Sequence, residues 1–295
     1  MQFRKITIVG VGLLGGSIGL AARKFRIAGE IAGYVRREKT AVECERAGAT
    51  DYATTDLAAA VSNSDLVILC TPLAQMRSLV EQFQPALKRG AIVTDVGSVK
   101  ADVVRELESL IAKTGAYFVG SHPMAGGERM GVSAAREDLF QNAVCVLTPT
   151  YKSHAGAVRK LERFWKSIGA QVLKLPPEQH DLFVSRTSHL PHVIAAALAN
   201  LVLSPDQPKG QAQLCANGFR DTTRIASGSP EMWRDISLAN RKHLASAVGA
   251  FISELQRFQR ALKGADARAI TKFFERAKRQ RDAWKDSAPK LPKNG

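Results

Sequence analysis

The sequence predicts an α/β fold, with a doubly wound, mostly parallel sheet in the N-terminal half and an all-helical C-terminal half. Three observations carry this. Short apolar strands alternate with helical patterns as far as the double proline Pro176-Pro177, the rhythm of a parallel sheet with crossover helices. A glycine-rich turn, GVGLLG, joins the first strand to the first helix. Beyond the double proline no strand pattern recurs.

Taken in order, FRKITIV is a strand that runs straight into GVGLLG, and SIGLAARKF has helical spacing. IAGYV is a second strand, REKTAVECERAG a helix, and Asp65-Leu66-Val67-Ile68-Leu69-Cys70 a strand apolar enough to be buried on both faces. MRSLVEQFQPAL (helix), AIVTDV (strand), KADVVRELESLIAKTG (helix) and AYFVGSH (strand) continue the alternation. AVCVLTP, HAGAVRKLERFWKSIG and AQVLKL close it as strand, helix and strand. In the helical half, HVIAAALANLVL is apolar almost all round and is expected to be buried on most sides. HLASAVGAFISELQRFQRAL is a long amphipathic pattern. The expected organisation is therefore a sheet domain over 1–176, a helical domain over 177–285, and a polar, proline-containing disordered tail over 286–295.

Composition narrows the function classes. With 295 residues, 45% of them apolar, the chain can bury two ordinary cores. Cys44, Cys70, Cys145 and Cys215 form no CxxC pair, which argues against a zinc cluster or a disulfide framework and suits a reducing cytoplasm. The apolar run ITIVGVGLLGGSIGLAA after Arg4-Lys5 looks like a signal peptide, but it is too short to span a bilayer and five glycines break it. No membrane association is expected. The net charge of +15 raises nucleic-acid binding, yet ten Lys or Arg against four acids from Lys263 onward place +6 of it in the last helix and tail. With no helix-turn-helix, zinc-finger or RNP-like pattern, a solvated basic helix and a small anionic ligand are the expectation, and no nucleic acid.

Gly10-Val11-Gly12-Leu13-Leu14-Gly15 is a GxGxxG between strand and helix. The first glycine permits the tight turn, the second lets a pyrophosphate reach the backbone, and the third lets helix and strand pack closely. This makes the first half a Rossmann-type dinucleotide domain. An NAD site carries an acid about 20 residues on, for the ribose hydroxyls. Here the second strand ends Gly33-Tyr34-Val35-Arg36-Arg37. An arginine pairs with a 2′-phosphate that a carboxylate would repel, so NADP is the expected cofactor, with NAD the other option. The competing reading makes Arg36 and Arg37 surface charges beside Glu38. The expected cofactor contacts are Gly10, Gly12, Leu13, Leu14, Gly15, Arg36, Arg37 and Thr71.

Asp95-Val96-Gly97-Ser98-Val99-Lys100 ends one strand and opens a helix, where Ser98 is either a helix cap or a site residue. In GSHPMAGGERMG, His122 follows the next strand end and so faces the same crevice, and Pro123 keeps it extended. Ser188-His189-Leu190-Pro191-His192 sets two histidines three apart, on one helical face if Pro191 lies in an early turn; as a metal site it lacks a third ligand. In GFRDTTRIASGSPEMWRD the arginines either pair with Asp221 and Asp235 or hold a ligand carboxylate.

Taken together, GVGLLGGSIG, TDVGSVK, GSHPMAGGE, SHLPH and GFRDTTRIASGSPEMWRDI resemble the prephenate and arogenate dehydrogenases of tyrosine biosynthesis, in family order over roughly four fifths of the chain. The resemblance implies a Rossmann domain followed by an all-helical dimerisation domain, and hence a homodimer. It also implies oxidative decarboxylation of prephenate to 4-hydroxyphenylpyruvate, with arogenate as the alternative substrate. It makes His122 the base, Ser98 its bridge to the nicotinamide, and Arg224 the carboxylate-binding residue. His189, His192 and Glu128 fall where the family lines and gates its pocket. A non-catalytic NADP-binding protein would need the glycine turn but not His122, Ser98 and Arg224 together.

Overall fold

The structure is a computed structural model that describes residues 1–287 apart from 128 and 209. Its first part is a six-stranded, wholly parallel sheet. The strands and helices run β1 (Phe3–Val9), α1 (Leu13–Lys24), β2 (Ala28–Tyr34), α2 (Glu38–Arg46), β3 (Tyr52–Thr54), α3 (Leu57–Val61), β4 (Leu66–Leu69), α4 (Leu73–Phe83), β5 (Ile92–Asp95), α5 (Ala101–Ala112) and β6 (Tyr117–Phe118). The strand order β3-β2-β1-β4-β5-β6 reverses direction of growth between β1 and β4, the crevice where open α/β sheets bind ligands.

Both faces of this sheet are buried. Ile6, Ile8, Leu66 and Ile68 point into one apolar cluster with Ile18, Phe164 and Trp165. Their neighbours Val9, Val67, Leu69 and Val93 point into another with Met76, Phe83 and Leu107. Side chains alternate along a strand, so a strand covered on both sides must be apolar at nearly every position. The expected helices and most strands are found; β3 and α3 are too short to have shown a pattern.

The stretch AYFVGSH is not one strand. It leaves the large sheet after β6 and enters a second sheet as β7 (Gly120–Pro123), followed by β8 (Val144–Thr148), α6 (Ala155–Ser167) and β9 (Gln171–Lys174). In the second sheet β7 pairs antiparallel with β8, and β8 pairs parallel with β9. His122 therefore sits in a strand opposite Val146, not in a bare loop.

After Pro176 the chain is helical: α7 (Pro177–Val184), a π turn (Ser185–His189), α8 (Leu190–Val202), α9 (Asn217–Thr223), α10 (Pro230–Ala239), α11 (Arg241–Lys263) and α12 (Ala267–Ser287). Two compact units emerge, one through Leu244 and one from Ala245 onward. In the second, Phe258 of α11 meets Phe273 and Phe274 of α12, and Arg276 bonds Glu254 across the pair. Of the expected tail over 286–295, residues 286 and 287 belong to α12, which runs to Ser287; the remainder lies outside the described residues.

Helix α8 corrects another expectation. Only Ala195 is fully buried along it, and Leu201 is 65% exposed. An apolar helix is buried by whatever covers it, and one chain does not supply all of that cover. No described helix is long and apolar enough to cross a membrane.

Candidate active site

The glycine turn lies between β1 and α1, beside the end of β4. Gly10 has φ of +96°, and a Cβ there would stand 2.9 Å from both the Cys70 carbonyl oxygen and Thr71 Cγ2. A Cβ at Gly15 would fall 2.3 Å from the Gly10 oxygen, so the turn closes only with glycine at both positions. At Gly12, by contrast, a Cβ would meet nothing within 4 Å, and this face is open to an approaching group. Gly12 caps α1 without a side chain, which leaves the first amides, at Leu13 and Leu14, to an anion. Beside them the buried Thr71 hydroxyl has no hydrogen-bond partner. An open glycine, free helix amides and an orphaned hydroxyl fit a dinucleotide pyrophosphate.

At the end of β2, Val35 is buried while Arg36 and Arg37 are exposed. Glu38 accepts a hydrogen bond from Thr55 Oγ1, and among the described residues it forms no ion pair with either arginine.

His122 is 6% exposed. Its Nδ1 lies 2.8 Å from His180 Nε2, and His180 Nδ1 lies 2.8 Å from Asp181 Oδ1. Burial pushes the His122 imidazole well below its ordinary pKa, and the Lys100 cation acts in the same direction. Lys100 is fully buried and paired with Asp95 at the end of β5. The Ser121 amide and hydroxyl donate to Asp95, the amide to its carboxylate and the hydroxyl to its carbonyl. Asp181 receives the Lys100 and Ala101 amides at 2.8 and 2.9 Å. The start of α5 is thus capped by Asp181 from α7, and the capping role open to Ser98 is taken.

His189 is also buried, and Asn240 Nδ2 lies 3.2 Å from its Nδ1 while bonding the Asp181 carbonyl at 2.8 Å. An amide Nδ2 only donates, so His189 accepts at Nδ1 and carries its proton on Nε2, near the Ser98 backbone. Burial lowers its pKa to about 4, with Asp181 opposing. His189 is therefore a neutral donor rather than a base. His192 donates from Nδ1 to the Ser188 carbonyl at 2.9 Å and stacks on Trp233 with ring centroids 3.7 Å apart. Burial lowers its pKa, and the Arg224 guanidinium adds to the shift. Arg224 lies at the end of α9 and is exposed in the single chain. Asp235 is taken by Arg234, through Nε at 2.9 Å and a terminal nitrogen at 2.7 Å. Glu128 lies outside the described residues.

His122, Ser98, His189, His192 and Arg224 are thus linked residue to residue. Sequence reasoning missed His180, Asp181, Lys100, Asn240 and Trp233. The available signal was the His180-Asp181 pair in the first turn after the double proline, where a helix starts.

Two family models cover the chain: the prephenate dehydrogenase nucleotide-binding domain over residues 18–174, and the prephenate dehydrogenase dimerization domain over 176–276. The chain belongs to the prephenate dehydrogenase family. It is 35% identical over 94% of its length to a prephenate dehydrogenase of Bacillus subtilis, covering 75% of that protein. It is 33% identical to a cyclohexadienyl dehydrogenase of Zymomonas mobilis, with 96% of this chain and 97% of that one covered. Its fold matches the prephenate dehydrogenase of A. aeolicus, solved with hydroxyphenyl propionate and NAD+, with a TM-score of 0.89, 31% identity, and 95% and 98% of the two chains covered. The prephenate dehydrogenase family assignment makes the chain a pyridine-nucleotide oxidoreductase with a nucleotide-binding half and a helical half.

Proposed function

We propose that the chain catalyses the NADP-dependent oxidative decarboxylation of prephenate to 4-hydroxyphenylpyruvate, as a homodimer in the cytoplasm. The observation that carries this reading is the buried imidazole of His122, held below its ordinary pKa and joined through His180 and Asp181 to the start of α5, beyond the end of β5. The nucleotide, held by Gly10, Gly12, Leu13, Leu14, Gly15, Thr71 and Ser98, supplies the hydride acceptor when bound.

The residues do the rest. His122 takes the proton of the substrate hydroxyl, which requires the ring to be unprotonated, and burial keeps it so. Arg224 binds a carboxylate of the dianion with a planar fork. His189 offers an N–H donor and, having no lone pair toward the site, does not compete for the proton. Loss of the ring carboxylate as carbon dioxide makes the ring aromatic. Among the described residues the site acids Asp181 and Asp235 are already engaged, which supports prephenate over arogenate. Arg36 and Arg37, exposed at the end of β2, support NADP over NAD. Four free thiols suit the cytoplasm, and the apolar exposed end of α8 supports the dimer.

The test is steady-state oxidation of prephenate and of arogenate with NADP and with NAD. The expected result is the highest kcat/KM with prephenate and NADP. No turnover of either substrate would overturn the reading, and a preference for NAD would remove Arg36 and Arg37 from the cofactor site.

A further inference from the structure

We propose that His180, held by Asp181, is a positioning residue that decides which nitrogen of His122 is the base; this rests on the assignment of His122 above. The protonation of the relay is fixed from its far end, at Asp181. Both oxygens of Asp181 receive backbone amides, at 2.8 and 2.9 Å. A carboxylate that caps a helix in this way is an acceptor. His180 Nδ1, 2.8 Å from Asp181 Oδ1, must then carry the proton. A neutral imidazole has one proton, so His180 Nε2 presents a lone pair. The nitrogen facing that lone pair at 2.8 Å, His122 Nδ1, must be the N–H. The remaining lone pair of His122 is on Nε2, and Nε2 is the basic atom.

The two rings meet edge-on, 5.1 Å apart at 73°, as an in-plane hydrogen bond between imidazoles requires. His122, His180 and Asp181 are 6%, 0% and 2% exposed, so solvent has little access to the relay. Both ends are fixed to rigid elements: Asp181 to the start of α5, and His122 to the β7–β8 ladder opposite Val146. Without His180, either tautomer of His122 could form, and the one protonated on Nε2 cannot accept the substrate proton.

During turnover the hydroxyl proton moves from the substrate oxygen to His122 Nε2. Nδ1 keeps its own proton, and His180 and Asp181 change neither charge nor protonation. The Asp181 carboxylate offsets the imidazolium charge through the neutral His180, and the extra proton passes to solvent once product has left.

The test measures single-turnover NADPH formation from prephenate in the full chain, with KM for both ligands. His180→Leu should slow the step about 10²-fold, with His180→Gln recovering about tenfold of that, since its amide donates to Asp181 and its carbonyl accepts from His122. Both KM values should stay within about twofold, because the lost interaction serves the transition state. In a His122→Asn background, adding His180→Leu should cost nothing further, since His180 acts only through His122. If the Leu variant fails to fold, His180→Asn replaces it: its amide reaches Asp181, but it is too short to accept from His122. A folded Leu or Asn variant with the wild-type rate overturns the inference, and so does a His180→Leu penalty that persists in full without His122. Failure of the wild-type chain to oxidise prephenate is a separate result, and it would take down the functional reading and the relay with it.

Discussion

His122 is fit to act because it is unprotonated at neutral pH, and its surroundings make it so. Burial and nearby positive charge hold the imidazole well below its ordinary range. The acidic limb of kcat/KM, which reports the free enzyme, should therefore lie below about pH 6.5, the ordinary histidine value. His122→Asn should lower kcat by about 10²–10⁴ and remove that limb. If the limb survives the substitution, another group is the base. Arg224 makes a different prediction. A hydrogen bond to a charged group contributes about 1.5–3 kcal/mol, so Arg224→Ala should raise the prephenate KM by about one to two decades and leave the NADP KM alone. The rival role is an ion pair with Asp221 or Asp235, of which Arg234 already holds the second. A well-folded Arg224→Ala chain with an unchanged prephenate KM would exclude the residue from the site.

At the scale of elements, the parts legible in the sequence were those with a short period or a local rule. Strands β1, β4 and β5 are short apolar runs before turns, and Gly10 and Gly15 are dictated by backbone contacts a few residues away. The break between β6 and β7 was illegible because Val119 is as apolar as its neighbours; only pairing with β8 pulls Gly120–Pro123 out of the first sheet. His180 and Asp181 were illegible for a related reason. Their partners are 58 and 81 residues away in sequence, and no local pattern encodes such a contact. Helix α8 was read correctly as apolar and wrongly as covered: Leu201 and Leu203 are 65% and 51% exposed. The proposed homodimer would cover that surface with its copy. Light scattering at micromolar concentration should give twice the 31.9 kDa chain mass, and Leu201→Glu should shift the population toward monomer. A wild-type chain that runs as a monomer would disprove the dimer.

For the whole molecule, the buried histidines tie stability to pH. The folded state holds His122 and His192 below their ordinary pKa, and His189 at about 4. An unfolded histidine binds its proton near pH 6.5. Below that value the unfolded chain holds more protons than the folded one, so stability falls with pH. For His189 the loss runs from about pH 6.5 down to about 4, where the folded ring protonates too. Inside its window the His189 ring removes at most about 1.4 kcal/mol per pH unit, and His122 and His192 act in the same direction. Urea midpoints should accordingly drop between about pH 7 and about pH 5, and equal midpoints would show that these rings titrate normally when folded.

The π turn Ser185–His189 acts on helical phase as an inserted letter acts on a reading frame. In an unbroken α-helix each residue turns about 100°, so His180 and His189, nine positions apart, would point to opposite sides. A π turn takes up one extra residue without the matching rotation, which leaves the two rings about 80° apart by the same count. One long rod can then present His180 to His122 and His189 to Asn240. Inserting one alanine between Phe183 and Val184 would turn His180 about 100° further from His189. Circular dichroism should then report nearly the same helix content while turnover disappears, because the letters survive and their alignment does not.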